Sequence, residues 1–424
     1  MLSQAARYIA RWSHTGDIMI PKVTAPTMAV SLLLLCSCRP PADQSSFHFD
    51  ASGAEATMSV IQAIHDHADR DSVERLLDEA LLLEAYQVSN ERYTNPRRSP
   101  DNQVTLQEYK TFLLSYLDGA PNTQGNRRLV IQEEAYADAI QHPDKYAEAI
   151  RVVRSTPESD YEHAFRLALH WSPEGTTLNT AYVWLLFDIG GSGGWQIRTS
   201  DGRDHIGFNV LFQLDEDGRL DRDLFLGTLA HELQHMSIPL ARYDEAIAYS
   251  ELPDTSMLKL YSDFLSPMIK EGLATKFCSN APGKFSSKVD PDRPFAAKAT
   301  GVENWEYFRS ELLEIHSNAV NGLRRILDGQ VEDVQAFNTE YQNYWTWHAG
   351  DIEGKLFHMG RRYYYGAELL GAIHEALGRD AVFEVVADLR RLPALYNEAL
   401  EQLRPEDYMA YTFPDDIITK IGEL

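Results

Sequence analysis

The segment His231-Glu232-Leu233-Gln234-His235 constrains the fold of this 424-residue chain more than any other feature. Two histidines four residues apart lie on one face of a helix, one turn above the other. The pattern predicts a helix that begins at Asp221 or Asp223, runs to about Ser237 and stops before Pro239. Apolar residues occupy its other face: Phe225, Leu226, Leu229, Leu233 and Met236. The fold must therefore bury one side of this helix and leave the histidine side open.

The open side of this helix has the residue types of a hydrolytic metal site. Two imidazoles at this spacing can reach one zinc ion at about 2.0–2.1 Å. Glu232 follows His231 directly and is expected beside the metal rather than on it. There a carboxylate can take a proton from a metal-activated water and pass it to a leaving amine. The sequence therefore predicts one zinc ion, with Glu232 as the catalytic carboxylate.

A hydrolytic zinc site also needs a third protein ligand and one open position. Glu271, on a second predicted helix, is the best candidate, and it completes a set of two histidines and one glutamate. Gly272 and Ala274 are small, so we expect this helix to approach the first one closely. Glu245 and Glu251 are alternatives, both in polar surroundings.

The metal helix follows a short β-rich region in a chain that otherwise has helical periodicity. Residues 178–187, 196–199 and 205–214 are rich in the side chains that favour strands. Asp201-Gly202 predicts the turn between the last two strands, and Gly190–Gly194 predicts a tight hairpin. The predicted fold class is α+β and mainly helical, with a small antiparallel sheet ahead of the metal helix.

Changes in composition divide the chain into five regions. We expect a leader at 1–38, a tether at 39–46, an N-terminal helical region at 47–172, the sheet with the zinc-site helices at 173–290, and a C-terminal helical region at 291–424.

The leader resembles a bacterial secretion signal. Lys22 precedes an apolar run at Met28–Leu35, which is too short to span a bilayer but typical of a signal peptide. Leu35-Cys36-Ser37-Cys38 resembles a lipobox, in which the cysteine becomes the lipidated N-terminus. We therefore expect a secreted, periplasmic or envelope lipoprotein whose membrane contact is a lipid anchor at Cys38. An apolar N-terminal helix of the fold is the alternative.

Charge and cysteine content exclude other classes. A formal net charge of −24 repels phosphate backbones, so we expect no nucleic-acid partner. Cys278 stands alone after the leader, so no disulfide framework supports the fold, and we expect a buried free thiol there.

The two zinc motifs, HELQH and the downstream EGLAT, resemble those of gluzincins. The chain is most similar to bacterial zinc-dependent peptidases known mainly as domains of unknown function, over about 47–411, which we expect to form one zincin-like peptidase unit. The resemblance implies that His231, His235 and Glu271 are the metal ligands. In thermolysin an aspartate stands four residues after the ligand glutamate, whereas this chain has Thr275.

Two further roles remain open in the sequence. Tyr363, Tyr364 or His358 could donate to the oxyanion of a tetrahedral intermediate, and the resemblance favours Tyr363. The substrate backbone could pair with residues 207–214 as an edge strand, or with the 190–194 hairpin.

The predicted function is hydrolysis of peptide bonds in a peptide or protein substrate. Two alternatives remain: a catalytically inactive envelope protein that binds peptides on the same fold, and a zinc hydrolase of a non-peptide amide or ester. The intact His231, Glu232 and His235 speak against the inactive protein.

Overall fold

A computed structural model describes residues 47–96, 103–174, 176, 180–214, 217–241, 252–286, 299–346 and 360–424. Eight helices form most of the N-terminal part: α1 (Ser52–His65), α2 (Arg70–Leu81), α3 (Glu84–Tyr93), α4 (Leu106–Ser115), α5 (Arg127–Val130), α6 (Glu133–Gln141), α7 (Pro143–Arg154) and α8 (Glu158–His170). Nine more follow the sheet in the described part of the chain. The prediction of a mainly helical α+β fold is therefore confirmed.

The sheet is mixed rather than antiparallel. Its four strands are β1 (Phe47–Asp50), β2 (Ala181–Leu186), β3 (Gly194–Arg198) and β4 (Asp204–Asn209), in the order β1-β2-β4-β3. β2 runs parallel to both β1 and β4, and only β3 is antiparallel to its neighbour. The sequence did not predict β1, because four residues are too few to show an alternating pattern.

The strand order also differs from the prediction of which strand lies at the edge of the sheet. The segment at 207–214 was expected at an edge, but β4 lies between β2 and β3, and the strand ends at Asn209. Among the described strands, β3 lies at the edge on this side. The segment Gly190–Gly194 joins β2 to β3, which are not paired with each other, so it is a loop rather than a hairpin. The hairpin is formed by β3 and β4 around Asp201-Gly202, where Gly202 has φ +84°.

The helix that carries His231 and His235, α9, spans Arg222–Ala241 and is longer than expected. It continues past Pro239, although proline interrupts a backbone hydrogen bond inside a helix. The helices after it are α10 (Met257–Leu273), α11 (Ala299–Ser310), α12 (Leu312–Leu327), α13 (Val334–Tyr341), α14 (Arg361–Leu377), α15 (Arg379–Ala387), α16 (Leu392–Leu403) and α17 (Asp415–Gly422). A π-helical turn at Ala274–Cys278 extends α10 and packs against α9.

Two hydrophobic clusters form the interior of Ser45–Leu424, which is one compact unit. The first joins the sheet to α1–α8 and to the apolar face of α9. The second cluster contains side chains of all the helices from α10 through α17. It also includes Trp171, whose ring stacks on Phe277 with 3.7 Å between centroids. Cys278 is a buried free thiol, as expected. The open face of α9 lies where these two clusters meet.

Several sequence predictions lie outside the described residues. They are the leader and tether with Cys38, the alternative ligands Glu245 and Glu251, and His358. Within the described ranges, no helix combines the length and apolar character that a membrane span requires.

Candidate metal centre

Packing of the apolar face of α9 fixes the orientation of its histidines. Phe225, Leu229 and Leu233 are fully buried in the first hydrophobic cluster. The Asp221 carboxylate accepts a hydrogen bond from the Leu224 backbone N–H at 2.9 Å and caps the start of the helix. The opposite face therefore points toward α10.

Two histidines of α9 and one glutamate of α10 meet at a single point. Glu271 Oε2 lies 3.3 Å from His231 Nε2 and 3.1 Å from His235 Nε2. Ligand atoms of the three residues all lie within 4.8 Å of one another. In a tetrahedral zinc site with bonds of about 2.0–2.1 Å, neighbouring ligand atoms are roughly 3.3 Å apart. The donor set and its spacing therefore fit zinc.

Glu271 also has a cationic partner that the sequence analysis missed. Arg362 Nη2, near the start of α14, donates to Glu271 Oε1 at 3.0 Å, on the oxygen that does not contact the histidines. Burial alone would raise the pKa of Glu271, but Arg362 and the histidines hold it well below its ordinary value. One signal was present in the sequence: Arg361 and Arg362 lie at a helix N-terminus, where cations are unfavourable unless they have a partner.

Thr275, which stands where thermolysin has an aspartate, forms no hydrogen bond with the candidate ligand histidines through its hydroxyl. Within the described part of the chain, neither the buried Thr275 hydroxyl nor the buried His235 Nδ1 has a hydrogen-bond partner. Arg362, from a different helix, is instead the charged group that contacts a candidate ligand, Glu271.

Glu232 lies beside the three-residue group in a buried position. It is 8% exposed, and burial raises its pKa to about 7 against the opposing charges of His231 and Arg92. A carboxyl group with a pKa near neutrality can gain and lose a proton at physiological pH.

The edge strand β3 approaches Glu232 closely at Gly194. A Cβ atom at Gly194 would lie 2.5 Å from Thr228 Cγ2 and 3.3 Å from Glu232 Oε1, so only glycine allows this approach. The buried carboxylate of Asp188 fixes the loop before the strand. It accepts hydrogen bonds from Tyr93 and from the Trp195 indole N–H.

The two tyrosines predicted as oxyanion donors point to different places. The Tyr363 ring stacks on His231 with 6.3 Å between centroids, and its hydroxyl lies 3.4 Å from Arg362 Nη2. Burial raises the pKa of Tyr363 to about 12, so its hydroxyl keeps its proton at neutral pH. Tyr364 is buried against Trp305 and Phe308, at 5.0 and 5.6 Å between centroids, and belongs to the second hydrophobic cluster. The structure thus brings Tyr363, and not Tyr364, to the metal residues.

A comparison with protein families gives one match. The model of a family described as "Putative zinc dependent peptidase (DUF5700)" matches residues 77–404, which include β2–β4, all three candidate ligands and Glu232. No curated protein and no solved structure matches the chain.

Proposed function

This chain belongs to the "putative zinc dependent peptidase" family, and from that premise we propose that it hydrolyses peptide bonds, with Glu232 as general base. One observation carries the proposal: a single glutamate oxygen lies within 3.3 Å of the Nε2 atoms of two histidines, with a second carboxyl group buried next to them. His231, His235 and Glu271 would hold the zinc ion.

Zinc bound by these residues would polarise the scissile carbonyl and lower the pKa of a water molecule to about 7. Glu232 then accepts the proton of the attacking water and delivers it to the leaving amine. Its burial supports this role, because a carboxyl group shielded from solvent does not lose its proton to bulk water before the leaving amine accepts it. Tyr363 donates from its hydroxyl to the oxyanion of the tetrahedral intermediate.

The substrate backbone is proposed to lie along β3. Among the described strands, β3 is the edge strand next to Glu232, and an extended peptide can add to such an edge through main-chain hydrogen bonds. The pairing would place a peptide carbonyl close to Glu232 and Tyr363.

Hydrolysis of a peptide library by the zinc-loaded protein tests the function. We expect new peptide termini from the wild type and a rate lower by about 10²–10⁴-fold in Glu232→Gln. Glu162→Gln, which changes an exposed carboxylate on α8, should keep the wild-type rate. Cleavage by Glu232→Gln at the wild-type rate would refute the proposed mechanism.

The same experiment distinguishes the two alternatives. Hydrolysis of simple amides or esters without cleavage of any peptide would indicate a non-peptide hydrolase. Peptide binding without turnover by the zinc-loaded wild type would indicate an inactive binding protein on the zincin-like fold.

We further propose that the protein is a lipoprotein of the bacterial envelope, anchored at Cys38. The support is the apolar run at Met28–Leu35 followed by Leu35-Cys36-Ser37-Cys38. Mass spectrometry of the membrane-extracted protein should show an acylated N-terminal Cys38, and Cys38→Ser should release the protein from the membrane fraction. An unmodified mature chain would contradict this proposal.

A further inference from the structure

The hydrogen-bonding pattern of β3 shows which of its backbone groups face β4 and which face the other edge. The Asn209 backbone N–H donates to Gly193 O, and the Thr199 backbone N–H donates to Arg203 O, both at 3.0 Å. In an antiparallel pair every second residue bonds to the partner strand, so residues 195 and 197 face β4 as well. Gly194, Gln196 and Arg198 therefore turn their backbone groups toward the exposed edge.

Arg92 forms a hydrogen bond with one of these outward-facing backbone groups. From the last turn of α3, its Nη1 donates to Gln196 O at 2.7 Å. The guanidinium also lies 5.5 Å from the ring centroids of Tyr93 and Trp195, which restrains it in this position. A substrate strand that starts beside Glu232 at Gly194 thus meets a side chain at Gln196, about 7 Å along the edge.

Arg128 is a second arginine near this part of the edge, in a protein of net charge −24. Arg128 lies on the same Tyr93 ring, 5.7 Å from its centroid, and donates to Gly190 O at 3.4 Å. Asp188, the buried carboxylate of this region, accepts hydrogen bonds from Tyr93, Trp195 and the loop backbone. A planar guanidinium is well suited to a carboxylate, because its N–H groups match the two carboxylate oxygens.

We propose that Arg92 determines the substrate preference of the cleft: it ends the backbone-pairing edge at Gln196 and binds a carboxylate of the substrate there. This inference rests on the proposed peptidase function. The preferred substrate is a peptide with an acidic group within about two residues of the scissile bond. A glutamate or aspartate side chain and a free terminal carboxylate share this chemistry.

Matched peptides test the proposal. Starting from one cleaved peptide, each position near the scissile bond is made as Glu and as Gln, and each peptide is made with a free and an amidated C-terminus. We expect kcat/KM of the wild type to be about 10–100-fold higher for the carboxylate at one position or at the terminus. The side-chain series and the terminal series separate the two sources of the carboxylate.

Variants of Arg92 then show whether this residue causes the preference. Arg92→Gln should reduce the preference to less than about twofold, Arg92→Lys should keep part of it, and Arg92→Glu should shift it toward lysine peptides. Arg75→Gln, at an exposed arginine of α2, should keep the wild-type preference. Thermal unfolding of each variant separates loss of preference from loss of fold.

Two outcomes would overturn the proposal: equal rates for Glu and Gln peptides and for both termini, or an unchanged preference in Arg92→Gln. If the wild type cleaves no peptide, the proposed function fails. Binding of short peptides made in Glu and Gln pairs, and with free and amidated C-termini, to the zinc-loaded Glu232→Gln protein then tests Arg92 separately, because the carboxylate peptide should bind about 10-fold more tightly than its Gln or amide counterpart. Equal binding would refute the subsite.

Discussion

Arg362 donates a hydrogen bond to Glu271 Oε1 at 3.0 Å, while the other carboxylate oxygen of Glu271 faces the two histidines. The two oxygens therefore have separate partners, and the carboxylate cannot rotate without breaking a charged hydrogen bond. Groups that fix a metal ligand in this way strongly affect metal affinity. Arg362 would thus hold Glu271 in position to contribute one oxygen to the proposed donor set.

Replacing Arg362 should weaken zinc binding. We expect Arg362→Gln to lower zinc affinity by about 10–100-fold, because the carboxylate of Glu271 loses its charged partner. Competition with a chromogenic chelator measures the affinity without any need for turnover. Arg361→Gln is the matched control, since the Arg361 guanidinium lies over the Tyr344 ring at 4.3 Å instead. An affinity within twofold of the wild type in Arg362→Gln would contradict this role.

The two adjacent tyrosines should respond differently to loss of the hydroxyl. Tyr363→Phe keeps the ring on His231 and removes the proposed oxyanion donor, so we expect kcat to fall by about 10²–10³-fold with zinc content unchanged. Tyr364→Phe removes a buried hydroxyl with no hydrogen-bond partner among the described residues, so activity should stay within about twofold. Kinetics and zinc content of both variants check this prediction, and equal losses of kcat would contradict it.

The crossing of α10 and α14 depends on two glycines. A Cβ atom at Gly272 would lie 2.1 Å from the Gly366 carbonyl carbon, so the helix that carries Glu271 contacts the helix that carries Arg362 backbone to backbone. We expect Gly272→Ala to destabilise the protein by at least about 2 kcal/mol and to weaken zinc binding.

Denaturant unfolding and chelator competition measure these two effects. Gly422→Ala on α17 is the control, because a Cβ atom there has no neighbour within 4 Å among the described residues. Its unfolding free energy should be unchanged or slightly higher. A Gly272→Ala protein as stable as the wild type would show that the helices can separate without cost.

Buried His316 should make the fold sensitive to acid. Its Nδ1 accepts a hydrogen bond from the Tyr365 hydroxyl, and its Nε2 donates to Thr412 O, which is the pattern of a neutral ring. Burial lowers its pKa from 6.5 to about 4. Between these values the unfolded chain binds more protons than the folded one, so stability is present above pH 6.5 and is lost as pH falls toward 4. The difference corresponds to roughly 3 kcal/mol.

Unfolding free energies at pH 7.5 and pH 4.5 test this effect. We expect His316→Gln, whose amide can offer one acceptor and one donor, to lose much less stability between the two pH values than the wild type. His163→Gln, at an exposed position of α8, should keep the wild-type pH dependence. If His316→Gln loses as much stability on acidification as the wild type, His316 is not the cause.

Local patterns predicted much of the candidate site. Helical spacing alone places His231 and His235 on one face, and the apolar residues on the opposite face of the helix show which face is open. Glu271 followed from the need for a third ligand and from the family resemblance. The expectation for Gly272 was partly wrong, because its close contact is with Gly366 of α14 rather than with the metal helix.

Long-range pairing is what the sequence could not show. The short strand β1 pairs with β2 more than 100 residues later, and no local pattern specifies a parallel register across that distance. Arg92 and Arg362 reach the site from helices remote in sequence from α9, so their roles depend on tertiary packing. Only the family resemblance favoured Tyr363 over Tyr364, since neighbouring residues on a helix point about 100° apart and the helical pattern did not show which face of α14 is buried.

Metal content of the purified protein tests the central claim most directly. After growth with added zinc, elemental analysis should give about one zinc ion per chain in the wild type and in Glu232→Gln. Loss of zinc is expected in His235→Ala and in Glu271→Ala. A folded wild-type protein without zinc, or full zinc content in His235→Ala, would contradict the assignment of His231, His235 and Glu271 as the metal site.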